Sequence, residues 1–372
     1  MKPIVSTILC LAITGAGYAP SPVDAASSPY DLYVTTTGSD ANAGSASAPL
    51  KTILRASQLV RAGGTVYVAP GRYTGGFKTD ASGAASARIR YLSSTRWGAV
   101  IVPPSSSTNS TAWTNAGSFT DIDGFVVDGS VDPSVAWRNG IYTTGSYNAI
   151  KNSHIHHVGA KAACDSRGGS AINTDYWNYG VNTTVTGNVV HHNGFTGCRF
   201  IQGIYISTSA TVTNNIVYQN GGAAVHLWHD ANHVNVVNNT IFANDVGIVV
   251  GGGDYYHTTG PADYVNVNNN IVVDNNYGII ENGATGGHNN YINNLVYGNR
   301  TQWAMLTSRH SGDINADPQF VSYIRTGGGN YHLKSTSPAV NQGTTAYAPA
   351  IDFDGTARPQ GGRIDIGAYE FR

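Results

Sequence analysis

The chain has 372 residues, of which 45 are glycine and 22 tyrosine; only 12% are charged and the formal net charge is −1. Leu, Met, Lys and Glu are scarce, which removes the good helix formers and points to an almost entirely β protein, while the near-neutral charge excludes a basic field for nucleic acid. The length exceeds a usual single globular core, yet no linker, charge run or low-complexity stretch divides it, a tension that a one-dimensional repeat architecture resolves.

The N-terminus reads as a secretory signal over residues 1–25. Lys2 supplies the positive start, Ile4 to Ala16 the apolar stretch, and Val23-Asp24-Ala25 the small-residue cleavage site ahead of Ala26. A lipoprotein reading of Cys10 is disfavoured, because Leu9 stands where a lipobox wants a small residue. Nothing after residue 26 is apolar enough for a membrane span, so a secreted or periplasmic, soluble monomer is expected. Ile53 to Val60 reads as a short helix plugging the end of an apolar bore.

From residue 152 a frame recurs. Asn188-Val189-Val190-His191-His192-Asn193 aligns with Asn215-Ile216-Val217-Tyr218-Gln219-Asn220, and the frame returns at Asn239, Asn270 and Asn294, spaced 27, 24, 31 and 24 residues apart. A degenerate copy runs through Asn152-Ser153-His154-Ile155-His156-His157. A coil of about 24 residues is too short for a propeller blade and has no helical period, which predicts a right-handed parallel β-helix solenoid running from about residue 65 to 310. The two asparagine columns fit turns in which each side-chain amide bonds its counterpart about 4.8 Å away in the next coil. Each coil carries a further strand whose inward residues, Ile141, Ile172, Ile204, Val225, Ile248 and Ile279, form one apolar column.

The outward residues of that strand are Tyr142, Asn173, Tyr205, His226, Val249 and Ile280, followed by a column that includes Asp175, Trp228, Gly251 and Asn282. A linear polymer would lie along such columns. Aromatic Tyr142, Trp177 and Trp228 suit sugar faces, with Asn173, His229 and Asp254 as further substrate contacts. Arg199, His226, Tyr205, Asp175 and Asp230 are the candidate catalytic groups. The His226-Leu227-Trp228-His229 spacing is weak as a metal motif, since the two rings fall on opposite faces unless the strand ends there. Asp230, Asp254 and Glu281 end adjacent strands and could bind Ca²⁺, hold Arg side chains or act as acid and base. Gly251-Gly252-Gly253 lacks the following Gly-Lys-Ser/Thr of a phosphate loop; it reads as a flat place for close approach of a polymer. His156, His157, His191 and His192 read as stacked pairs on another face, a solvated ladder in preference to a second metal site. Cys164 and Cys198 lie in corresponding loops of successive coils and are expected to be bonded in an exported protein.

Tyr33-Val34-Thr35-Thr36-Thr37-Gly38-Ser39-Asp40, Pro49-Leu50-Lys51-Thr52-Ile53 and Gly64 to Tyr73 near the start, with Asp317-Pro318-Gln319-Phe320, Ser337 to Asn341 and Asp365 to Glu370 near the end, resemble the secreted right-handed β-helix carbohydrate-active proteins, the pectate lyase-like superfamily. The resemblance spans nearly the whole mature chain and implies one domain: a β-helix with its cap over 26–316 and a C-terminal segment, 317–372, covering the last open edge. It also implies action on a polysaccharide, and Ca²⁺ as the cofactor if there is one. A polyuronide lyase is the leading reading, needing a base and cations to stabilise a dianion. Lys151, Lys161, Arg167 and Arg199 are the basic residues in these coils besides Arg138, and Arg199 is best placed. The dense aspartates of calcium-dependent pectate lyases are not evident. A glycoside hydrolase using Asp175, Asp230 and Asp254, and a non-catalytic carbohydrate-binding protein, are the alternatives.

Overall fold

The computed structural model describes residues 28–104, 110–131 and 137–372, so the expected signal lies outside the described residues. Three parallel sheets run the length of the molecule. Sheet I has eleven strands, from Leu32–Val34 to His310–Ser311; sheet II has nine, from Gly71–Thr74 to Leu295–Tyr297; sheet III has nine, from Phe77–Thr79 to Thr301–Ala304. The chain visits them in the order I, II, III on each coil. The stack begins earlier than the repeat suggested, because Leu32–Val34 pairs in parallel with Val66–Val68. The expected apolar column is in register from Ile141 through Ile172, Ile204, Val225 and Ile248 to Ile279. All six side chains are fully buried.

Both asparagine ladders form. At the I–II corner the amide of Asn188 donates to Asn215, Asn215 to Asn239, Asn239 to Asn270 and Asn270 to Asn294, at 2.9 to 3.0 Å. At the II–III corner Asn193, Asn220, Asn244, Asn275 and Asn299 do the same, at 2.8 to 3.1 Å. The second amide hydrogen is used as well: that of Asn239 reaches the Val212 carbonyl, 2.9 Å away in the preceding coil. The first ladder ends on the Asp313 carboxylate and the second on the Gln302 amide oxygen. The residue before each rung is left-handed, as at Asn214, Asn238, Asn269 and Asn293, with φ of 54 to 57°. Asn tolerates that region, so the paired asparagines divide the work between bending the chain and bridging coils.

Helix α1 (Ile53–Leu59), capped by the Thr52 hydroxyl, buries Ile53 and Ala56 at the mouth of the bore. It is the only helix among the described residues, and no helix is long and apolar enough to cross a membrane. The C-terminal segment departs from expectation: instead of covering the last edge, it lies along the outer face of sheet II. Phe320, Tyr331, Leu333, Ala339, Ile366 and Tyr369 pack there against Ile216, Tyr218, Phe242, Ile271, Val273 and Leu295. The outward positions of sheet II are apolar in these coils, and a bare patch of that size is costly in water. A buried Arg358–Glu370 pair at 2.6 Å and the Asn238 amide, which donates to the Asp365 and Gly367 carbonyls, fasten the segment.

Replacing Asn239 by Ala removes the acceptor of the Asn215 backbone N–H and of one hydrogen of the Asn215 amide, and the side-chain donor to the Val212 carbonyl. At about 1 to 3 kcal/mol per buried orphan, chemical denaturation should show a loss of about 3 to 5 kcal/mol. Asn235→Ala, in the half-buried Asn235–Asn266 pair, should cost less than about 1 kcal/mol.

Candidate active site

A cleft of about 440 Å³ opens on the outer face of sheet III. Its floor is the outward column Asn173, Tyr205 and His226, in strict register. One wall is the pair of loops between sheets II and III, pinned by the Cys164–Cys198 disulfide with Cα atoms 5.6 Å apart. Those loops place Arg167, Arg199 and Phe200 over the floor. The other wall is Trp228, His229, Asp254 and Tyr256, with Asn282 beyond.

Electrostatically the cleft is cationic. Arg167 is partly satisfied by Asp165 at 2.6 Å, whereas no carboxylate among the described residues pairs with Arg199. Asp254 is the single carboxylate in the lining. On the floor, the His226 ring meets Tyr205 edge-on at 5.2 Å and Trp228 at 5.9 Å, and both of its ring nitrogens are enclosed without a hydrogen-bond partner. Burial, with His229 adding to it, pushes the His226 imidazole down to about 4, so it is neutral at pH 7. Burial likewise raises Tyr205 well above its ordinary value, keeping the phenol protonated. The strand ends at Leu227 and His229 is left-handed, which brings both histidines of the His-x-x-His spacing to the same cleft. His229 stacks on Tyr256 at 3.9 Å, and its Nδ1–H donates to the Asp254 carbonyl at 2.7 Å.

Of the eleven sequence-selected site residues, Arg199, Tyr205, His226, Asn173, Trp228, His229 and Asp254 converge on the cleft. Asp175 and Asp230 do not line it. Asp175 accepts the Tyr142 hydroxyl, the Trp177 backbone N–H and the Asn178 amide. Asp230 accepts the backbone N–H groups of Tyr256, His257 and Thr258. Glu281 repeats the pattern with Leu306, Thr307 and Ser308. Asp175 thus holds the loop after its own sheet III strand, and Asp230 and Glu281 hold the loop one coil further on. Tyr142 is occupied by Asp175, and the exposed Trp177 rests edge-on against Tyr256 at 5.3 Å, outside the lining. Gly251 and Gly253 seat the Trp228 indole: a Cβ at either would come within 2.9 and 2.8 Å of its ring. Phe200, Gln202 and Tyr256 were not selected. Tyr256 comes from the insertion that lengthens the Asn239–Asn270 spacing to 31 residues, and that spacing was its only signal.

A family model described as a right handed beta helix region matches residues 139–317, and one described as a protein of unknown function (DUF1565) matches residues 36–79. Among solved structures, pectate lyase Pel9A superposes with a TM-score of 0.66 at 17% identity, over 92% of this chain and 96% of that one. This chain has the pectate lyase-like right-handed β-helix fold. A rhamnogalacturonan lyase shares it, with a TM-score of 0.54 at 16% identity over 78% and 90% of the two chains. No curated protein is similar enough in sequence to match. At such identities the likeness carries the fold, and the chemistry of this β-helix has to be read from its own cleft.

Two outcomes follow from the cleft's construction. The folded-state pKa of His226 lies below its ordinary 6.5, so between pH 6.5 and about 4 the unfolded chain binds a proton that the folded one refuses. Stability contributed by neutral His226 is present above pH 6.5 and is lost as pH falls toward 4. Thermal melts of His226→Phe should therefore show a smaller drop between pH 7 and 4.5 than the wild type; equal drops would contradict this environment. For the disulfide, intact mass with and without reductant should differ by two hydrogens, and Cys164→Ser/Cys198→Ser should lose about 2 to 4 kcal/mol.

Proposed function

We propose that this protein is an exported polysaccharide lyase that cleaves an acidic polysaccharide by β-elimination in the sheet III cleft. The observation that carries this reading is the unpaired Arg199 guanidinium over a neutral, partnerless His226 and a protonated Tyr205, in a cleft with one carboxylate. Arg199, with Arg167 beside it, takes the uronate carboxylate, the geometry for which a guanidinium fork is suited. His226 removes the proton α to that carboxylate. An entering anion raises the basicity of a desolvated imidazole, offsetting the weakness that burial imposes on it. The electron pair moves into the new C=C bond as the glycosidic C–O bond breaks, and the Tyr205 hydroxyl donates its proton to the leaving oxygen. Trp228 and Phe200 supply apolar surface for sugar faces. The disulfide between the wall loops suits an oxidising compartment, in keeping with export.

Calcium fits this cleft poorly. A Ca²⁺ site takes six to eight oxygens, often several carboxylates, yet the oxygens of Asp175, Asp230 and Glu281 already accept hydrogen bonds from loop N–H groups and from the Tyr142, Tyr291 and Asn178 side chains, and none of the three lines the cleft. The same commitment weighs against a glycoside hydrolase, which needs two carboxyl groups facing one bond.

Incubation with a panel of polyuronides should yield products with new far-ultraviolet absorbance from the unsaturated uronide. Arg199→Ala and His226→Ala should each lower kcat/KM by about 10² or more, with the Arg199→Ala melting temperature unchanged. Asp254→Asn should matter only a few-fold. Saturated products would give the hydrolase reading instead, and activity indifferent to both Arg199 and His226 would leave a carbohydrate-binding platform.

A further inference from the structure

Five histidines gather on the outer face of sheet II, away from the cleft. Asp128, His156 and His191 occupy one outward column, which continues as Tyr218, Phe242 and Val273. Val126, His154 and Val189 form the parallel column. In a strand, neighbouring residues face opposite sides, so His157 and His192 would be expected to point away from His156 and His191. Both sit instead at the left-handed corner position, with φ of 58° and 54°, and the bend returns their rings to the same side. As a result Nδ1 of His156 lies 2.8 Å from Nδ1 of His157, and one coil further on Nδ1 of His191 lies 2.7 Å from Nδ1 of His192. Nε2 of His154 and Nε2 of His191 are 2.6 Å apart. The Asp128 carboxylate, whose Oδ1 accepts the Ser130 backbone N–H and hydroxyl and whose Oδ2 lies 4.0 Å from Arg72, is 3.6 Å from His156 Nδ1, and one donor atom from each of Asp128, His156 and His157 lies within 4.8 Å of the others.

The cluster is more sheltered than a solvated ladder. The side chains of Asp128 and His156 are each only 15% accessible. The three ring-nitrogen pairs lie at hydrogen-bond distance and gather imidazole donor atoms from two consecutive coils on one face. The C-terminal segment covers the same columns from Ile216 onward, and Tyr218, stacked on His191 at 4.7 Å, marks where the cover stops.

We propose that Asp128, His156 and His157 form a binding site for a borderline divalent transition-metal ion such as Zn²⁺, with the His191–His192 pair as the adjoining ligands one coil away. Imidazole nitrogens with one carboxylate select such ions over Ca²⁺ or Mg²⁺, which prefer all-oxygen sites. The bound ion ties consecutive coils together on the outer face of sheet II. This site is independent of the lyase reading and stands or falls separately from it.

The test uses the full mature chain without a histidine tag, stripped by chelator and dialysed against graded ZnCl2, with bound metal counted by mass spectrometry and a parallel thermal melt. About one Zn²⁺ per chain should bind, the melting temperature should rise, and millimolar Ca²⁺ or Mg²⁺ should not displace the ion. His156→Ala/His157→Ala should weaken binding about 100-fold or more. The milder Asp128→Asn should weaken it while leaving the melt in chelator unchanged, which separates ligand loss from misfolding. His288→Ala, at an exposed His–Asp pair elsewhere on the surface, serves as the control and should bind as the wild type does. Absence of stoichiometric Zn²⁺, or binding that survives in both His156→Ala/His157→Ala and Asp128→Asn, overturns the proposal.

Discussion

The molecule depends on one constraint: a polar group buried at the corner of a coil needs a partner in the coil above and the coil below. Asparagine meets it on both sides at once, because its amide accepts through oxygen and donates twice through nitrogen. The two ladders satisfy backbone N–H groups, carbonyls and side chains together, for example at Asn215 and Asn239. A partly satisfied network of this kind would cost more than an apolar core. Register follows from the ladders, and from register come the columns on every outer face.

Outward columns are then free to diverge. On sheet III, Asn173, Tyr205 and His226 floor a cleft; on sheet II, the later positions are apolar and covered, while the earlier ones are histidines. One scaffold thus carries several chemistries on separate faces, decided by substitutions that leave the bore untouched. Insertions between sheets add the third dimension. The disulfide-pinned loops and the loop bearing Tyr256 turn a flat face into a walled cleft.

The stack, the apolar column, both ladders and the cysteine pairing were legible in the sequence because each is periodic: position alone specifies the neighbour. The roles of the strand-end acids were not. Asp175 and Asp230 look like free carboxylates on an exposed face, and only the paths of the loops reveal that residues of the same loop, for Asp175, and of the next coil's loop, for Asp230, occupy their oxygens. Tyr256 and Gln202 were missed for the same reason, as aperiodic residues delivered by loops or by the strand preceding the Gly-Ile frame. The histidine cluster was visible as sequence pairs, but the convergence of its rings on one outer face depends on a left-handed corner that sequence spacing does not encode. The C-terminal segment was misplaced because its own apolar residues do not say which surface they cover.

That placement bears on how the protein is made. In a simple solenoid each coil can be completed against the one before it, so folding can follow synthesis step by step. Here the outward residues Ile216, Phe242, Ile271 and Leu295 are synthesised long before Phe320, Leu333 and Ile366, which shield them. Until the segment beyond residue 317 has emerged and folded back across several coils, a strip of greasy sheet faces water. The growing chain is therefore vulnerable to self-association late in biogenesis, and a truncated copy would be expected to engage chaperones or proteases where the finished one does not.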